Sequence, residues 1–262
     1  MRSGKVAAAF AVLLVVSFAV MNAMPSDTLP AALLQEAVLA LVAFAAVGFA
    51  IPDAHKRCTK SVQQRSIVRF ATIALLLVGL VGGAITLLAW LFAGGGTMAG
   101  FASTALPSTA DLMENLLLLL GICLLTGLYE ESFMRVLGIE AFERALDTKR
   151  AILASAALFA LLHVGAPDVS AGQLVLLQAA LKFGQALLFG VILGALYVRT
   201  RRLWPCAFIH AGFDVLYLAP NVLLTGTMPE TYASGAVGDT VLLAVSVLML
   251  SGIVLKIRKE IA

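Results

Sequence analysis

Glu130, Glu131, Arg135, His163, His210 and Asp214 stand inside stretches that are otherwise apolar. Their spacing is compact: Glu130-Glu131-x-x-x-Arg135, Phe159-x-x-x-His163 and His210-x-x-x-Asp214. A carboxylate beside a histidine can take a proton from water and aim the oxygen at a carbonyl. A second histidine with a short polar side chain can stabilise the oxyanion that then develops. The same histidines and acids can instead hold a zinc ion that activates the water. No Ser or Cys is paired with a histidine in these patterns, and His-Glu-x-x-His is absent, so neither a nucleophile triad nor that zinc signature is indicated.

Helical spacing refines the roles. Residues four apart share a face, so Glu131 can pair with Arg135 in the favourable acid-before-base order. Glu130 lies about 100° round the helix, which leaves its carboxylate free to act while its neighbour is neutralised. Phe159 shares a face with His163, and His210 with Asp214. Two of the three histidines thus belong to the patterns, and the third, His55, falls in a polar loop.

The elements that carry these residues must cross a membrane. The chain has 262 residues, 61% hydrophobic and 13% charged, with a mean hydropathy of +1.00. A soluble domain is about 45–50% apolar and about 25% charged. A charge at the bilayer centre costs roughly 2.5–3.5 kcal/mol on insertion scales, so the six residues are there to pair or to work. Eight apolar segments are expected to form helices, at about 6–24, 31–51, 68–93, 112–136, 151–166, 173–198, 204–225 and 238–257. The fifth is short for a span and fits only if it starts a turn earlier or lies tilted. The fold class is therefore all-α, a polytopic bundle with a cytoplasm-facing intramembrane cavity. One membrane domain covers 1–262, with a catalytic core at 112–225.

Charge placement supports the count. Apart from Lys182, every Lys and Arg falls in the loops or helix ends on one side of an eight-helix zigzag, from Arg2 and Lys5 to Lys256, Arg258 and Lys259. The opposite loops hold Asp27, Asp111, Asp168, Glu230 and Asp239. Both termini are then cytoplasmic, and the net charge of +3 speaks for anionic lipid rather than nucleic acid. A reporter fused after Lys259 or placed near Arg201 is expected in the cytoplasm, and one near Asp168 or Glu230 outside. An external C-terminus would overturn the helix count. Residues 1–24 resemble a signal peptide but carry too long an apolar run, and read as a retained first helix. Cys58, Cys123 and Cys206 are scattered and form neither a disulfide framework nor a metal site.

Glu-Glu-x-x-x-Arg, Phe-x-x-x-His and His-x-x-x-Asn/Asp, in that order on successive apolar helices, resemble the CPBP family of intramembrane proteases. These are the CAAX protease and bacteriocin-processing proteins, also called Abi or type II CAAX prenyl endopeptidase relatives. The likeness covers roughly 112–225 and rests on Tyr129 to Arg135, Leu158 to His163 and Trp204 to His210. It implies Glu130 as general base with His163, and His210 with Asp214 as the oxyanion or ligand pair, supported by Glu131, Arg135 and Phe159. The substrate it implies is a membrane-associated or lipidated peptide, met in a bacterial inner or cell membrane. Asp214 departs from the eukaryotic prenyl-protein branch, which has Asn there. An ionised Asp would repel an oxyanion, so it must be protonated, pair with a cation or ligate a metal.

The cofactor stays open between zinc on Glu130, His163, His210 and Asp214 and none. Arg135 nearby and the departure from zincin spacing favour a metal-free dyad. The readings from other classes are a noncatalytic scaffold or bacteriocin-immunity protein, and a small-solute transporter suggested by Lys182. The transporter is disfavoured because no internal repeat is visible. Lys182, between Gln178 and Gln185, is expected to meet Glu36, Glu114 or a substrate carboxylate. Glu36 and Glu114 are expected to reach the outer interface. Gly94-Gly95-Gly96 opens the longest external loop, and 138–150 reads as a cytoplasmic helix extension or surface helix.

Overall fold

A computed structural model describes residues 2–52, 62–92, 106–164, 170, 172–229 and 233–261. His55, Cys58, Gly94-Gly95-Gly96, Asp168 and Glu230 lie outside the described residues. Eight long helices appear: α1 (Arg2–Ala23), α2 (Leu29–Ala50), α3 (Val62–Phe92), α4 (Thr109–Glu131), α6 (Thr148–Val164), α7 (Gln173–Thr200), α8 (Leu203–Thr225) and α9 (Val237–Ile261). The short α5 (Glu140–Phe142) follows α4 after a π-helical segment, Ser132–Ile139. No strand occurs among the described residues.

Seven of the long helices have the length and apolar composition to cross a membrane. α6 is the exception. It does begin a turn earlier than residue 151, yet its 17 residues span about 25 Å at 1.5 Å per residue, short of a roughly 30 Å hydrocarbon core. Gly194 abuts Ile152 and Gly190 abuts Ala156, so α6 and α7 run antiparallel in step. Continued by that step, the end of α6 comes alongside the middle of α7. His163, one residue before that end, is thereby set inside the bundle.

α8 is the central helix and packs against both α3 and α4, while α2 backs α4 and α9 backs α7. The close approaches are made by glycine, because apolar lipid gives helices no hydrophobic reason to associate and backbone proximity must supply the packing. A Cβ at Gly83 would stand 2.2 Å from the Leu216 carbonyl oxygen, and one at Gly127 would stand 2.6 Å from that of Ala207. Gly127 matters most for function, since it lets α4 lie against the turn of α8 just before His210.

The 138–150 region is a helix extension only as far as Phe142. Its first part belongs to the π segment, all eight residues of which are buried, and turns then lead into α6 at Thr148. A surface helix is excluded by what its acids do. Glu140 accepts from the Tyr197 hydroxyl at 2.8 Å, and Glu143 accepts two bonds from the Arg201 guanidinium at 2.7 and 2.8 Å. Arg201 follows α7 in the left-handed conformation, φ 50°, so this clamp ties the end of α5 to the α7–α8 turn.

Candidate functional site

Glu131 closes α4, and the π segment starts at the next residue. π-Helical turns are rare and concentrate at functional sites. Within the segment the Met134 carbonyl accepts from the Ser155 hydroxyl of α6 at 2.6 Å. The segment thus leaves the Glu130-Glu131 pair at a helix junction braced from α6.

The expected pairing of Glu131 with Arg135 is present, Oε2 to Nε 3.1 Å, with both side chains at most 1% exposed. The contact is off the donor axis. Arg135 Nε, Nη1 and Nη2, and Glu131 Oε2, make no hydrogen bond among the described residues. The guanidinium instead lies over the Phe159 ring, 4.5 Å from its centroid, a cation–π contact that holds it without water. Phe159 is therefore the seat of the arginine as well as the neighbour of His163, whose ring centroid is 4.1 Å away.

The other oxygen of Glu131, Oε1, is 2.8 Å from His210 Nδ1. The motif spacing gave no sign of this bond, because it joins α4 to α8 across 79 residues of sequence. His210 Nε2 faces Glu130 Oε2 and Asp214 Oδ2, each at 3.4 Å. A ring with carboxylate oxygens at both nitrogens can donate from both only as the imidazolium. Phe189 of α7 stands edge-on to the ring at 4.8 Å; it was missed because an aromatic in an apolar helix carries no chemical signature.

His163 completes the group. Its Nδ1 is 2.9 Å from the Phe159 carbonyl oxygen, which can only accept, so Nδ1 carries the proton and Nε2 presents a lone pair. That Nε2 lies 3.8 Å from Glu130 Oε1. The residues picked out by spacing are thus brought together, with Glu130 in the middle. A cavity of about 180 Å³ reaches both Glu130 and His163.

One expectation needs correction. Glu36 does not reach the outer interface: its carboxylate lies beside the Thr126 side chain and near Glu130, Asp214 and His210, and its Oε2 is buried without a hydrogen bond. α2 packs along α4, which brings Glu36 in against Thr126, one turn before Glu130. Lys182 donates to Gln185 at 3.2 Å near Asp214 and Glu130. Glu114 is exposed, as expected. Cys123 and Cys206 are buried free thiols.

Residues 112–216 match the Rce1-like family, type II CAAX prenyl endopeptidase Rce1-like. The matched stretch runs from the start of α4 into α8 and contains every residue of the three patterns. The Rce1-like match is to the family that those patterns resemble, and it points to a protease-type hydrolase. Together with the seven apolar helices it makes the chain an integral membrane protein. Among curated proteins none matches the chain.

As arranged, no three of the described His, Cys, Asp and Glu side chains form a group that could hold a metal ion. His210 spends Nδ1 on Glu131, and its Nε2 stands 3.4 Å from one oxygen of Glu130 and one of Asp214. Glu130, His163, His210 and Asp214 are the side chains that would hold a zinc ion and let it activate water; no step below is routed through one.

Proposed function

We propose that the protein is an intramembrane endopeptidase in which Glu130 and His163 activate water against a peptide carbonyl. The observation that carries this reading is the facing of two acceptors, Glu130 Oε1 and the bare Nε2 of His163, across 3.8 Å. Two acceptors that close repel unless donors lie between them. One water oxygen about 2.8 Å from each would donate a hydrogen to both and present a lone pair to the cavity. Glu130 takes the first proton as the oxygen attacks the carbonyl carbon, and His163 holds the second.

The tetrahedral oxyanion then falls to His210. As an imidazolium it offers Nε2–H, and the Glu131 bond at Nδ1 fixes its plane. Asp214 pairs with that cation, which answers the difficulty of an anion beside an oxyanion. Collapse breaks the C–N bond, and the leaving amine recovers the proton from Glu130. The substrate class is a peptide held at the membrane, free or lipidated, with the site toward the cytoplasmic half of the bilayer.

Asp214→Asn is expected to keep substantial activity, because Asn preserves the shape and can itself donate toward an oxyanion. The protein is purified in detergent and incubated with membrane peptides, and new termini are read by mass spectrometry alongside zinc content. Stoichiometric zinc lost together with activity in Asp214→Asn would overturn the metal-free mechanism. Membrane peptides left intact by the wild-type protein would overturn the protease.

A further inference from the structure

The cavity beside Glu130 and His163 is closed on its other flank by the first helix. Leu14, Phe18 and Met21 of α1 line it, together with Ser17. Ser17 does not make that wall polar, because its hydroxyl donates to the Leu13 carbonyl of its own helix at 2.7 Å. The α1 wall is therefore apolar, facing the two groups that would activate water. Its size is informative too. An apolar cavity of about 150 Å³ takes one benzene, so about 180 Å³ suits one large side chain.

α1 is also placed to vary. It packs on α2, α5 and the π segment, and much of its surface is open, with Val12 61%, Val15 69% and Phe18 53% exposed. Residues on this wall can change size without disturbing the carboxylate–histidine core. We infer that Leu14, Phe18 and Met21 form the specificity subsite for a single large apolar side chain next to the scissile bond. The inference rests on the protease reading and adds a selectivity that the three motifs do not contain. A bond whose carbonyl sits at Glu130 and His163 places its neighbouring side chain at this wall, and a chain that fills it expels water from beside the reacting atoms.

The test uses the full chain in detergent with a synthetic library of lysine-flanked apolar peptides, carrying Ala, Leu, Phe or Trp at each internal position. Wild-type protein should cut beside Leu or Phe about tenfold or more in preference to Ala, the discrimination a hydrophobic pocket gives per methylene. Leu14→Trp, which fills the cavity, should reverse that preference toward Ala. Phe18→Ala, which enlarges it from an exposed position, should admit Trp. Cleavage with the same flanking residues in all three proteins would overturn the subsite and leave the protease standing.

If no peptide is cut, the protease reading falls, and binding decides the cavity separately. p-Benzoylphenylalanine placed at Phe18 in a Glu130→Gln background should capture the Leu and Phe peptides over the all-Ala peptide. Indifferent capture would overturn the side-chain site itself.

Discussion

Glu130→Gln is expected to abolish cleavage and to leave the protein folded at wild-type abundance. The side chain is 18% exposed at the cavity, and its oxygens face His163 Nε2 and His210 Nε2 without a close bond to either. Glutamine keeps the volume and one oxygen, so packing changes little. It cannot take the proton of the attacking water, and its amide donates toward the lone pair of His163 that the water is meant to use. General-base catalysis contributes typically about 10²–10⁴-fold, and cleavage should fall at least that far. The measurement pairs initial rates with melting temperature in detergent and membrane abundance. A variant that melts with the wild type yet cuts at more than about a tenth of its rate would remove Glu130 from the role of base.

Most of this site was legible because helices make spacing into geometry. A spacing of four positions from His210 to Asp214, and from Phe159 to His163, fixes a shared face whatever surrounds the helix, and both pairs meet. Charge in an apolar segment marked which helices mattered. What could not be read lies between helices or in departures from the regular helix. The His210–Glu131 bond depends on Gly127 letting α4 approach α8, and a glycine in an apolar run carries no indication of which neighbour it admits. The π segment has no compositional mark; Ser-Phe-Met-Arg-Val-Leu-Gly-Ile reads as ordinary helix. Glu36 was misplaced because distance from a helix end was taken for depth. The packing of α2 along α4 set its position instead.

The second large effect belongs to Glu131→Gln, and it falls on stability first. Glu131 is fully buried and serves two partners at once, Arg135 through Oε2 and His210 through Oε1. Arg135 has no hydrogen bond elsewhere among the described residues, so a neutral amide takes away the carboxylate in contact with its charge. Removing one partner of a buried pair costs about 3–5 kcal/mol, enough to lower membrane abundance and melting temperature together with activity. The second substitution separates the two roles. Replacing a buried pair by apolar groups of similar volume is often neutral or stabilising, so Glu131→Leu with Arg135→Met should recover abundance. Cleavage should stay absent, because His210 Nδ1 then has no acceptor to set its plane or hold its second proton. Recovery of both abundance and cleavage would reduce Glu131 to a neutraliser of Arg135. Should Glu131→Gln instead prove stable and inactive while Glu130→Gln still cuts, the two carboxylates would have to exchange roles.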